Sequence, residues 1–203
     1  MLQGLNLGLT KLFTGTVIVR GLADAPGYHS AELVLASTFS VFGQPFRIAV
    51  VWWLLLTAVA SWVLLRTRFG NWVFATGGDE VAARNVGVPA RRTTIALFMT
   101  TAGAAWFVGT TLAVRLTSVQ ANTGAGQELI YIVAAVIGGC LLTGGFGSAV
   151  GASLGALIFG MTQQGIVYLR WNADWFYFFL GAMLLLAVLL NRVVRRYAEA
   201  ARR

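Results

Sequence analysis

Two stretches of this chain leave it little choice of solvent. Residues 48–65 are 18 in a row without a charge, with Trp52 and Trp53 near the start, and residues 94–114 are 21 more. A helix rises about 1.5 Å per residue, so each run can cross the roughly 30 Å hydrocarbon core of a bilayer; the paired indoles fall where an interfacial aromatic belt sits. Composition agrees with them. Of 203 residues 58% are hydrophobic and 11% charged, with a mean hydropathy of +0.75, which is too apolar for a soluble domain. The expected fold is all-α, a polytopic helical membrane protein whose single transmembrane domain occupies 1–203.

Three further apolar runs follow, 129–143, 147–169 and 175–190, giving about five spans in all. The first of these is short and rich in glycine, and by itself reads equally as a full span, a tilted one or a broken helix. Before Arg47 the pattern is different. Residues 1–22 lack a basic region followed by a clean apolar core, so they read as the tail of a membrane helix and not as a signal peptide. A polar loop with Pro26, Gly27 and His29 comes next, and 33–42 is too short to span, which predicts a partly inserted or surface-lying segment.

The one long polar interruption in the second half is 66–92, RTRFGNWVFATGGDEVAARNVGVPARR, with Arg66, Arg68, Arg84, Arg91 and Arg92. Asp79 and Glu80 follow Gly77 and Gly78, placing acids at the positive end of a helix dipole, while Gly87 and Pro89 supply a stop. The spacing predicts a short helix over 79–86, with Glu80 and Arg84 paired i,i+4 and a small apolar face of Val81, Ala82 and Val86. A helix that short needs something to lie against.

Net charge of +8 and a high isoelectric point can signal nucleic-acid binding, but here the arginines cluster at the ends of apolar runs, as membrane topology requires. No nucleic-acid partner is expected; membrane lipid is. Five of the 15 basic residues lie in 66–92 and five in the tail, at Arg192, Arg195, Arg196, Arg202 and Arg203. Both regions should be cytoplasmic, which demands an even number of crossings between them. Only if 129–143 crosses does the count come to four. The C-terminus is then cytoplasmic and 121–126 faces outside.

What is missing narrows the chemistry. No span holds Asp, Glu, Lys, Arg or His, so the buried carboxylates of a proton-coupled carrier are absent from these spans. The only lysine, Lys11, follows Thr10, so no GxxxxGK[ST] phosphate loop exists and any ATP must be bound by another subunit. One cysteine, Cys140, and one histidine, His29, exclude an internal disulfide framework and a Cys/His metal site. No cofactor, metal or catalytic residue is expected. Gln163 and Gln164, with Thr162, Asn122 and Gln127 nearby in character, are uncharged hydrogen-bonding groups that suit a neutral polyol on a substrate path, although Gln also serves as interhelical glue. Gly147, Gly151 and Gly155 form a GxxxGxxxG stripe for close helix packing, with Ser148, Ala152, Ala156 and Gly160 one residue along.

Three segments carry a family resemblance. FGNWVFATGGDEVAARNVGVP resembles the cytoplasmic coupling segment of permeases in the ribose, xylose and galactose branch of ATP-binding cassette importers. GGCLLTGGFGSAVGASLGALIFG resembles the glycine-rich run of that family, and WFYFFLGAMLLLAVLLN its last helix. The similarity runs from Leu2 to the tail in the family's order and spacing. Leu141 stands where the family usually has Ser, and Phe146 where it often has Arg. The family's permeases are also longer, with further spans before the point corresponding to Leu2, which implies the C-terminal portion of a split or truncated permease, or a misassigned start.

By that resemblance the chain is not an enzyme but a permease subunit importing a neutral monosaccharide across the inner membrane. Its implied partners are a second permease copy, ATPase subunits and an external sugar-binding protein. Gly77, Gly78, Asp79, Glu80, Ala82, Ala83, Arg84 and Gly87 would dock on the ATPase, with Ala82 and Ala83 at the close contact and Arg84 at the rim. Two other readings remain at this level: a secondary carrier with ion-coupling residues in further N-terminal spans, or a non-transporting membrane fragment or scaffold.

Overall fold

The computed structural model describes residues 2–41, 43–169 and 174–200. Its chain forms two compact units, Met1–Leu56 with Ile95–Gly126, and Thr57–Thr94 with Gln127–Arg203. Helices dominate both, and the protein is a multi-pass helical membrane protein. Among the described residues, three helices are long and apolar enough to cross a membrane: α3 (Ile48–Arg66), α6 (Ala90–Leu116) and α8 (Ala149–Tyr168).

In the first unit, helix α1 (Leu2–Thr14) leads into strand β1 (Ile18–Arg20), a single 3-10 turn at Leu22–Asp24, helix α2 (Tyr28–Leu35), and strands β2 (Thr38–Val41) and β3 (Gln44–Arg47). The stretch 33–42, expected as a partly inserted or surface-lying segment, is not a single element. Helix α2 ends at Leu35 and the chain turns into an antiparallel pair in which Phe39 opposes Phe46, their rings stacked at 6.4 Å. Polar groups at the ends of the spans hold α2 in place. Tyr28 Oη donates to the Val114 carbonyl (2.9 Å), and Trp52 Nε1 donates to the Val34 carbonyl (2.9 Å). Trp52 also meets Phe107 edge-to-face at 5.3 Å. Strand β4 (Ser118–Gln120) leaves α6 through Thr117 and pairs with β1, Val119 opposite Val19. These short pairings satisfy backbone groups of the non-helical chain that joins the spans.

In the second unit the 129–143 run is not one helix. Helix α7 covers Glu128–Ile137 only, about 15 Å of rise; Gly138 then caps it and Gly139 turns left-handed at φ +87°. Helix α8 begins after Ser148, whose Oγ accepts from the Gly151 N–H at 2.9 Å. Helix α9 spans Asp174–Ala200, so the expected last span continues as helix through Arg192, Arg195 and Arg196, while Arg202 and Arg203 lie outside the described residues. Val133, Ala134, Phe159 and Leu180 form the core where α7, α8 and α9 meet, with Phe159 edge-to-face on Phe176 at 6.0 Å.

Candidate functional site

The polar interruption 66–92 is mostly helical. Thr67 is extended (φ −113°) and stops α3; its Oγ1 donates to the Val63 carbonyl (2.6 Å) and accepts from the Gly70 N–H (3.2 Å), starting helix α4 (Arg68–Gly78). Gly70 is buried where a side chain would strike the backbone of Leu64, so the turn between α3 and α4 closes tightly. Gly77 and Gly78, expected to introduce the next helix, are instead the last two residues of α4.

Asp79 separates two helices by itself. At φ −152° it is extended; its N–H ends α4 on the Ala75 carbonyl (3.1 Å), and its Oδ1 accepts from the N–H groups of Val81 (2.9 Å) and Ala82 (3.0 Å). It is thus the N-cap of helix α5 (Glu80–Asn85), a contribution of about 1 kcal/mol. Glu80 accepts from the guanidinium of Arg84 one turn on, both about half exposed, so the pair adds only about 0.3 kcal/mol. The far end is closed by Gly87 at φ +86°, whose N–H reaches the Arg84 carbonyl (3.0 Å), and by Val88, whose N–H reaches that of Ala83 (3.0 Å).

Those closing bonds decide which face of α5 is free. Ala83 is 4% exposed, and Ala90 and Thr93 in the first turn of α6 are buried as well. Val81 and Val86 are 69% and 79% exposed, and Ala82 is exposed with them. Ala82 and Ala83, both expected at the close contact with the ATPase, differ in exposure: Ala83 is buried within this chain and Ala82 is open. Neighbouring helical residues lie about 100° apart, and Ala83 is on the side already filled by this chain. Beside α5 lies a concavity of about 430 Å³ around the 87–89 turn, walled by Arg84, Arg91 and Arg92. Arg91, Arg92 and the N-terminal end of α6 bring positive charge to it, while the Arg84 guanidinium is held by Glu80.

The glycine stripe of α8 packs on α7 in antiparallel sense. A Cβ on Gly151 would strike the Gly138 carbonyl, one on Gly155 the Ala134 carbonyl, and one on Gly147 would come within 2.9 Å of Cys140 Sγ. Gly160, from the stripe one residue along, has nothing within 4 Å. Gln163 and Gln164 are exposed on α8 and line neither concavity. The first unit has its own concavity of about 490 Å³, where Trp106, Thr110, Ser118, Gln120 and Thr123 contribute to the lining. Sequence reading passed over these, because they come from α6, β4 and the turn beyond it and have no shared spacing. Among the described residues no group of three or more His, Cys, Asp or Glu side chains is placed to hold a metal ion.

The family model described as the permease component of the branched-chain amino acid transport system matches residues 1–188. Over 170 residues the chain is 34% identical to the fructose import permease protein FrcC of Rhizobium meliloti, covering 80% of this chain and 47% of that one. It is 34% identical over 194 residues to the galactose/methyl galactoside import permease protein MglC of Escherichia coli K12 (95% and 56%). It is 35% identical over 206 residues to the L-arabinose transport system permease protein AraH of the same strain (98% and 60%). The chain spans about half the length of the curated relatives it matches. No solved structure matches.

Proposed function

This chain belongs to the family of transport-system permease components, and from that premise we propose that it is the membrane-spanning permease subunit of an ATP-driven importer for a neutral monosaccharide in the inner membrane. In this reading the permease works as two copies with ATPase subunits and an external sugar-binding protein. The family description names branched-chain amino acids, whereas the three relatives are named for fructose, galactose and arabinose. Charge-free spans favour the sugar, since an amino acid brings two charges that need partners in the membrane.

The observation that carries the proposal is the outer face of α5. A six-residue helix, capped at both ends, holds Val81, Ala82 and Val86 out to solvent beside an arginine-walled concavity. A short apolar ridge next to positive charge fits a partner groove with an apolar floor and an acidic rim. Facing the cytoplasm, where the ATPase works, is supported by the five arginines of 66–92. The cytoplasmic C-terminus is supported by the backbone contact between Gly77 and Gly145, which sets the turn before α8 beside the arginine-rich segment and leaves an even pair of helices, α8 and α9, between that turn and the tail.

The test is co-purification of the ATPase subunit and sugar-stimulated ATP hydrolysis with Val86→Arg. Val86 is open to solvent, so the substitution leaves this chain's packing alone. A charged side chain forced into an apolar groove should lower ATPase recovery about tenfold or more. Normal recovery with normal stimulated hydrolysis would sink the coupling role.

A further inference from the structure

The last two residues of α4 rest on the turn between α7 and α8. A Cβ on Gly77 would lie 2.8 Å from the backbone N of Gly145, one on Gly144 2.5 Å from the carbonyl O of Gly77, and one on Gly145 2.8 Å from the Cα of Gly78. Two main chains therefore touch with no side chain between them. Gly144 and Gly145 are also left-handed, at φ +82° and +76°, so the turn is doubly restricted to glycine. Among the described residues no backbone hydrogen bond joins the two pairs.

We infer that this glycine-on-glycine seat is where movement of α5 is delivered to the membrane helices, an assignment that rests on the coupling role proposed for α5. One residue, Asp79, links α5 to α4, and both of its ends are hydrogen-bonded, so a push on α5 moves the end of α4. Ordinary packed surfaces absorb a small displacement by changing rotamers; bare backbone has none to change, and the push passes on undiminished. Its receiver is stiff as well. The turn is tied by the Leu141 N–H to the Phe146 carbonyl (3.1 Å) and the Gly144 N–H to the Leu141 carbonyl (3.0 Å), and it heads the α7–α8 pair, itself in backbone contact at Gly138 and Gly155. With shape alone holding the seat, it carries compression but not tension, and α4 can lift off without breaking a hydrogen bond. Such a contact has two states, seated and released.

Cys140, the only cysteine, lies in the same turn and reports on it directly. In the purified full chain, the rate of Cys140 alkylation by N-ethylmaleimide is measured for Gly77→Ala, Gly145→Ala and Gly78→Ala. A Cβ on Gly78 comes no closer than 3.8 Å to Gly145, an ordinary contact. Gly77→Ala and Gly145→Ala should change the rate at least about threefold while Gly78→Ala stays within about twofold, because only the first two force the backbones apart. In the complex, Gly77→Ala should transport less sugar per ATP hydrolysed. Wild-type Cys140 rates in Gly77→Ala, or equal effects of Gly77→Ala and Gly78→Ala, overturn the seat. The two ideas fail separately. Failure of the unmodified chain to hold an ATPase subunit removes the importer reading, whereas the Cys140 rates judge the seat without any partner.

Discussion

At Gly87 the conformation, not the space around it, requires glycine. Nothing lies within 4 Å of a Cβ there, but φ is +86°. Gly87→Val should therefore cost about 1–2 kcal/mol by backbone strain alone. The measurement is amide exchange: the Val88 N–H, bonded to Ala83, should lose protection while the α7–α8 core keeps its own. Asp79→Ala removes the acceptor for the Val81 and Ala82 N–H groups and should cost a similar ~1 kcal/mol, seen as faster exchange at those two amides. Ala83 behaves differently from both. Because it is 4% exposed, Ala83→Arg should damage the chain itself and lower its melting temperature, whereas Ala82→Arg should act on the partner and leave melting unchanged. Equal melting of the two variants would contradict the burial seen at Ala83.

Among the elements, α7 and α8 are the pair most dependent on small residues. Gly151→Leu and Gly155→Leu each push a side chain into a carbonyl of α7, an overpacking cost of about 1–3 kcal/mol or more that should show as a lower melting temperature in detergent. Gly160→Leu sits on the same helix with nothing within 4 Å and should leave melting unchanged. A uniform loss across all three would mean that helix propensity, not packing, governs the pair. Helix α5 shows the opposite economy. It is six residues long and is sustained by one aspartate, one ion pair and one glycine, since a helix of that length lacks enough internal hydrogen bonds to offset its nucleation cost.

For the molecule as a whole, the arginine distribution and the Gly77–Gly145 contact make one prediction together. In a Cys140→Ala background, Asn122→Cys should react with an impermeant thiol reagent in intact cells and Val81→Cys only after permeabilisation. The reverse pattern would invert the topology. Cargo is tested at the same scale. Replacing Gln163 and Gln164 together by Leu should weaken sugar uptake if they line the path. Trp106→Ala probes the concavity of the first unit, which Trp106, Thr110, Ser118 and Thr123 help to line. Loss of uptake in Trp106→Ala with normal uptake in the double Gln variant would move the path from α8 to α6.

Sequence by itself determined the solvent, the first two spans and the ends of α5, because each rests on local physics. Runs 48–65 and 94–114 are apolar whatever they pack against; a glycine followed by proline stops a helix from within the chain; and the 147–169 run became α8 within two residues at each end. Helix α5 was legible down to the Glu80–Arg84 pair for the same reason. What only the tertiary structure decided are matters of contact at a distance. It assigned Ala83 inward and Ala82 outward, turned 68–78 into α4 instead of a loop, cut 129–143 short at Ile137, and set Gly77 and Gly78 on Gly144 and Gly145. Each glycine pair is visible in the sequence as a place where the chain can bend or be approached closely. That the two joints are halves of one contact is not, because glycine has no side chain whose pattern could advertise a partner, and two backbones meet only where the rest of the fold brings them.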